Sequence, residues 1–136
     1  MPSLHWGLLC QEVITDQETN AVSYIKGVEE FTIPGFPAQL PQITVSTIWW
    51  KEEDNDTIDM RIRISPPNDE NEEVFEVSHD FGGSQRFRVN RGLKGFPVTE
   101  PGLLEIYIEH RSEEGWDTCQ RIPVVIKHEP QDFSNN

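Results

Sequence analysis

Residues 58–65 alternate strictly between apolar and polar side chains. The apolar set is Ile58, Met60, Ile62 and Ile64, and the polar set between them is Asp59, Arg61, Arg63 and Ser65. Because successive side chains of a strand point to opposite faces, this pattern predicts a strand with one face in a core and the other in water. The same alternation recurs over residues 104–109 and around Phe87 and Val89. A chain with this pattern has to bury one face of a sheet.

The other ordered segments carry the β-branched and aromatic residues typical of strands, and no long window shows the three-and-four recurrence of an amphipathic helix. Eight strands are predicted, over residues 4–14, 22–31, 43–50, 58–65, 74–81, 86–90, 104–109 and 118–127. Without helical crossovers, such strands favour hairpins and Greek-key connections. The predicted fold class is all-β, an antiparallel two-sheet sandwich that is immunoglobulin-like or a related Greek key.

Length and charge limit the number of domains and the kinds of partner. The 136 residues predict one domain over 1–128, followed by a loose tail over 129–136. Eleven Lys and Arg against 24 Asp and Glu give a net charge of -13. Nucleic acid and anionic membrane surfaces would be repelled at long range, so neither is predicted as a partner.

The amino-terminal residues lack the pattern of a secretory signal, and no apolar run is long enough to cross a membrane. We therefore expect a cytoplasmic protein. Cys10 and Cys119 fall in the first and last predicted strands and are expected to be free thiols in a reducing cytosol.

The opening hairpin and the proline-rich connection after it carry a family resemblance. Residues 8–13 read Leu-Leu-Cys-Gln-Glu-Val, residues 24–28 read Tyr-Ile-Lys-Gly-Val, and residues 36–41 read Phe-Pro-Ala-Gln-Leu-Pro. Together they resemble a family of small bacterial β-sandwich proteins known only as a domain of unknown function. In that family an N-terminal hairpin leads into a Phe-Pro-x-x-Leu-Pro connection. The chain departs from the pattern at Glu29 and Glu30, where the family is more apolar. The resemblance implies a β-sandwich in a bacterial cytosol, and it implies no activity.

Acidic turns offer oxygen ligands for a hard cation, and the weak candidates are Asp54, Asp56 and Asp59. An EF-hand loop would need Asp or Asn at Ile58 and Gly at Asp59, and neither is present. We favour solvated acidic turns over a calcium site and predict no bound cofactor.

Sequence motifs for catalysis are missing. The four His and two Cys residues do not have the close spacing of zinc ligands, and no Gly-x-Ser-x-Gly turn or phosphate-binding loop occurs. The Gly82-Gly83-Ser84 run fits a hairpin turn. The sequence therefore favours a protein that is not an enzyme.

Three tryptophans are candidates for a binding surface. Trp49 and Trp50 are adjacent, so on a strand they point to opposite faces and at most one lies in the core. The other is exposed, covered by a partner, or covered by the proline-rich residues 33–41, which is the alternative we favour. Trp116 is expected on a hairpin tip, where it would also be exposed.

Five arginines are expected on outward positions of two strands, and they are Arg61, Arg63, Arg86, Arg88 and Arg91. If the two strands are neighbours, these residues form a local positive stripe. Pairing with Asp and Glu on the same face is the alternative that we favour.

Binding fits these features better than catalysis does. The primary hypothesis is a non-enzymatic protein-interaction module that binds itself or a protein partner through an aromatic patch or an unpaired sheet edge. One alternative is a carbohydrate-binding sandwich that stacks sugars on Trp49, Trp50 or Trp116. The other is a calcium-binding sandwich that uses its acidic loops.

Overall fold

The computed structural model describes residues 1–68 and 72–130, and this part of the chain is all-β, as predicted. Its strands are β1 (Ser3–Thr15), β2 (Val22–Gly27), β3 (Glu30–Ile33), β4 (Ala38–Gln39), β5 (Ile43–Trp50), β6 (Thr57–Ser65), β7 (Glu73–Asp80), β8 (Arg86–Leu93), β9 (Pro97–Val98), β10 (Gly102–Ser112) and β11 (Gly115–His128). All eight predicted segments contain strand. Residues 131–136 of the predicted tail lie outside the described residues, and the amide of Glu129, its first residue, donates to the carbonyl of Ile33 at 3.0 Å.

The strands form three sheets, of which one curls into a half-barrel. A four-stranded sheet has the order β2-β1-β5-β8, a five-stranded sheet has the order β3-β11-β10-β6-β7, and β4 pairs with β9. Both β4 and β9 lie between the segments predicted as strands. The described part of the chain contains no helix long and apolar enough to span a membrane.

The predicted strand over residues 22–31 is wrong as a single element, because the chain changes sheets within it. The amide of Val28 donates to Leu9 of β1 at 2.9 Å, while the carbonyl of Glu29 accepts from Val125 of β11 at 3.2 Å. The chain thus leaves β1 at one residue and joins β11 at the next. It then runs as β3 parallel to β11, so the expectation of purely antiparallel pairing is also wrong for this pair.

The alternating residues of β6 lie at the centre of the hydrophobic core, which confirms their predicted orientation. The core includes Ile58, Met60, Ile62 and Ile64 of β6, Leu104, Ile106 and Ile108 of β10, and Val45 and Trp49 of β5. Burying one such side chain stabilises the fold by about 1.5–3 kcal/mol. Since β5 belongs to the four-stranded sheet and β6 and β10 to the five-stranded sheet, both large sheets contribute to one core.

Candidate functional site

Trp49 is a core residue. It is 0% exposed, and its indole N–H donates to the hydroxyl of Thr47 at 3.0 Å. Its ring also lies 5.2 Å from that of His110, centre to centre. Trp49 therefore cannot contact a ligand at the surface, and of the two adjacent tryptophans only Trp50, which is half-buried, faces outward.

Arg61 and Arg63 converge on a buried carboxylate, that of Glu109 in β10. Glu109 is 3% exposed, and one of its oxygens accepts from Arg61 Nε at 2.7 Å and from Arg63 Nε at 3.1 Å. Its other oxygen accepts from the Thr118 hydroxyl at 3.0 Å. Burial alone would raise the pKa of Glu109, but these hydrogen bonds and the charge of Arg63 outweigh burial, so the pKa lies below its ordinary value. We call these four residues the Glu109 cluster.

Trp116 is part of the same surface of the five-stranded sheet. It lies in β11 rather than at a hairpin tip, and it is half-buried. The guanidinium groups of Arg61 and Arg111 each lie over its ring, 4.5 Å from the ring centre. Arg111 is in turn held by Asp59 at 2.9 Å. Arg61 and Arg111 therefore have their partners within the chain, and their guanidinium groups cover Trp116. These mutual contacts indicate that the three residues have a structural role.

The two strands that carry the five arginines are not neighbours, so the arginine stripe, which was the less favoured alternative, does not form. Arg61 and Arg63 lie on β6 in the five-stranded sheet, whereas Arg86 and Arg88 lie on β8 in the four-stranded sheet. Arg91 also does not share the outward face of Arg86 and Arg88. It follows the inward parity of Val89, and its guanidinium lies 4.1 Å from the ring centre of Phe75 on β7.

Two of the three acidic candidates for a cation site, Asp56 and Asp59, have partners within the chain. Asp56 accepts from the amino group of Met1 at 2.7 Å and from the amides of Glu52 and Glu53 at 2.9 and 2.8 Å. Asp59 binds Arg111, and Asp54 is exposed in the turn. Within residues 1–68 and 72–130, no three His, Cys, Asp or Glu side chains are grouped as metal ligands would be.

Trp6 is the feature that the sequence analysis missed. It lies on the outer face of β1 and is 42% exposed. Its neighbour His5 stacks on Trp50, with 5.1 Å between ring centres and 11° between planes, and lies 6.2 Å from the Trp6 ring. These three residues form an aromatic patch on the four-stranded sheet.

A bulge in β1 explains why the alternation of apolar and polar residues did not predict an outward Trp6. In a regular strand Leu4 and Trp6 would share a face. The register shifts between them, so Leu4 pairs with the inward Trp49 while Trp6 pairs with Ile48. Each residue therefore ends on a different face of the sheet.

The aromatic patch continues into two arginines of β8. Trp50 is paired in register with Arg86, and Ile48 is paired with Arg88 on one side and with Trp6 on the other. Paired residues of neighbouring strands share a face. Trp6, Trp50, Arg86 and Arg88 therefore lie on one surface, which we call the Trp–Arg face. Ile48, at its centre, is 0% exposed.

Among the residues that the structure describes, the positive charges of β8 and of the residue after it have no acidic partners. Residues 86–94 contain Arg86, Arg88, Arg91 and Lys94 and no Asp or Glu. None of these four cations forms an ion pair with another residue that the structure describes, whereas Arg61, Arg63, Arg111, Arg121 and Lys127 all do. The Nε of Arg88 is also buried and has no hydrogen-bond partner within the same residues.

No protein-family model matches this chain, and a search of curated proteins finds no significant match. The resemblance of residues 8–41 to small bacterial proteins therefore stays a prediction. The hairpin on which it partly depends is present, since β1 and β2 pair antiparallel.

Proposed function

We propose that this chain is a non-enzymatic protein-interaction module and that the Trp–Arg face is its docking surface. The proposal includes a two-sheet β-sandwich framework, immunoglobulin-like or a related Greek key, which is supported by the core shared between the two large sheets. The observation that carries it is the exposed Trp6, in line with Trp50 and with two arginines that have no acidic partner among the described residues. Trp and Arg are the residues most enriched at the energetic centres of protein interfaces.

A binding role also agrees with the state of the carboxylates. The pKa values of Glu109 and Asp56 are both lowered. Arginines bind the carboxylate of Glu109, and the Met1 amino group and backbone amides bind that of Asp56. A carboxylate held in this way is a poor general base. The cytoplasm remains the proposed compartment, supported by the free thiols of Cys10 and Cys119.

A partner of a different kind fits the Trp–Arg face better than a second copy of the chain. A symmetric dimer through this face would bring the charges of Arg86 and Arg88 from both copies into one interface. Two chains of net charge -13 also repel each other at long range. We therefore propose a heterologous protein partner.

Carbohydrate binding is the second candidate function, and only the exposed ring of Trp6 favours it. The other tryptophan rings are engaged within the chain. Trp49 is buried, Trp116 lies under two guanidinium groups, and Trp50 stacks on His5.

The proposal can be tested with Trp6→Ser and a matched control, Leu103→Ser. Leu103 is also 42% exposed but lies on the five-stranded sheet. The immobilised wild-type domain should capture a protein from a host-cell lysate, Trp6→Ser should lose that protein, and Leu103→Ser should retain it. Equal loss in both variants, or loss in neither, would contradict the proposal.

Two further measurements separate the alternatives. Light scattering should show a monomer at tens of micromolar. A dimer that dissociates in the Trp6→Ser variant would instead show that the partner is a second copy of this chain. A glycan array should show no binding. A glycan that binds the wild type and is lost in Trp6→Ser would favour the carbohydrate function.

A further inference from the structure

We propose that the partner presents an extended acidic segment, which adds as a new strand to the free edge of β8. This inference rests on the proposed function, because it names the class of partner for the same surface. The argument comes from the pairing of β8, from its charge and from the buried guanidinium of Arg88.

β8 is the last strand of the four-stranded sheet. Within the described residues it pairs with β5 alone. In a two-stranded antiparallel pairing, about half of the backbone N–H and C=O groups of each strand point away from the partner. These groups can form hydrogen bonds with an added strand, which is how many domains capture extended peptides.

β7 of the five-stranded sheet lies beside β8 but does not pair with it. β7 is the edge of the five-stranded sheet, and the two edges meet through side chains: His79 stacks on Phe87 with 5.0 Å between ring centres, and Arg91 lies over Phe75. The two strands belong to different sheets, with no ladder between them. The aromatic contacts therefore position β8 without using its free edge.

The positive charges on β8 favour an acidic segment as the added strand. Arg86 and Arg88 are two residues apart, so both project from the outer face and match a strand with carboxylates at every second position. Lys94 adds a further exposed cation after the strand. The chain is otherwise strongly acidic, which restricts an acidic partner to this part of the surface.

Arg88 gives this surface a specific recognition point. Its Nε is buried and unpaired within the described residues, and it stands beside Ile48 on the outer face. A buried donor without an acceptor is unfavourable, so a carboxylate that accepts from Arg88 would remove that penalty on binding. A polyphosphate would also supply anions, but it could not pair with the backbone edge.

The probe for this test is a synthetic peptide of alternating valine and glutamate, as long as β8, titrated by calorimetry at low salt. Its control is the same peptide with every amide N-methylated, which keeps the charge but prevents pairing along both edges. We expect the first peptide to bind at least about tenfold more tightly than the second. Amide signals of β8 should shift in NMR spectra, while those of β3 and β2 should not.

Variants locate the site. Arg86→Gln combined with Arg88→Gln should weaken binding of the first peptide at least about tenfold, whereas Arg121→Gln, an exposed arginine of the five-stranded sheet, should leave it unchanged. Equal binding of both peptides would overturn the strand addition, and so would heparin competing as well as the peptide with no shifts in β8. If neither peptide binds but the Trp6-dependent capture persists, the acidic strand is wrong and the interaction module stands.

Discussion

The side-chain amide of Gln120 holds both backbone groups of Gly7. The Gly7 amide donates to Gln120 Oε1 at 2.8 Å, and Gln120 Nε2 donates to the Gly7 carbonyl at 2.8 Å. Gly7 lies on β1 and Gln120 on β11, so this pair joins the two large sheets where they have no common ladder. The Gln120 side chain thus forms the two backbone hydrogen bonds that a neighbouring strand would otherwise form with Gly7.

Replacing Gln120 with leucine should lower the free energy of unfolding by about 1–3 kcal/mol, because the part-buried amide and carbonyl of Gly7 lose their partners. Urea denaturation followed by circular dichroism measures this change. The control is Gln17→Ala in the exposed turn after β1, which should stay within about 0.5 kcal/mol of the wild type. An equally stable Gln120→Leu protein would show that water replaces the amide without cost.

A side chain at Gly7 would have to displace the side chain of Ile108. A Cβ at this position would lie 2.2 Å from Cδ1 of Ile108. Gly7→Ala is therefore expected to destabilise the protein by about 1–3 kcal/mol through overpacking. The double variant with Ile108→Val, which removes the clashing methyl group, should recover part of the loss, and a double-mutant cycle in urea measures the coupling. Additive effects of the two substitutions would argue against a direct clash.

Alternation predicted the orientation of side chains wherever a strand is regular. Ile62 and Ile106 are fully buried as expected, because β6 and β10 keep their parity over the predicted segments. The same rule places Arg91 on the same inward face as Val89. The sequence therefore already indicated that Arg91 does not point outward.

The remaining features depend on contacts that the chain makes at a distance. The bulge that turns Trp6 outward exists only relative to β5, and the break after β2 depends on the bonds to β1 and β11. Glu109 alternates as an outward residue of its strand. It is buried because Arg61 and Arg63 reach it from the neighbouring strand. Local periodicity carries no information on which strands are neighbours, so neither the Trp–Arg face nor the Glu109 cluster could be assembled from sequence.

Glu109 should make stability depend on pH in the acidic range. Its pKa is lower in the folded protein than in the unfolded chain, since the hydrogen bonds from Arg63, Arg61 and Thr118 outweigh burial. Its contribution is therefore complete above the unfolded value of about 4.3 and is lost as the pH falls through the folded pKa. Unfolding free energies measured between neutral pH and about pH 3 should fall more steeply for the wild type than for Glu109→Gln.

Glu105→Gln is the control for that comparison. Glu105 binds the exposed Arg121 at 3.2 Å, and such surface pairs contribute about 0–1 kcal/mol. Glu109→Gln should cost more at neutral pH, about 1.5–3 kcal/mol, because it weakens hydrogen bonds to two arginines. Identical pH profiles for the wild type and Glu109→Gln would contradict the role given to this carboxylate.

The two thiols should differ in their reaction with iodoacetamide. Cys119 is exposed on β11, whereas Cys10 is buried on β1 with its thiol near the carbonyls of Glu12 and Thr44. Only Cys119 should be alkylated in the folded protein, and Cys10 should react after unfolding in urea. Although Cys119 is exposed as a residue, its thiol is partly desolvated by neighbouring atoms. This desolvation and the nearby Asp117 carboxylate raise the pKa of Cys119, so its alkylation should be slow at neutral pH and accelerate as the pH rises. Mass spectrometry of the wild type and Cys119→Ser measures both rates, and native labelling of Cys119→Ser at the wild-type rate would contradict the assignment.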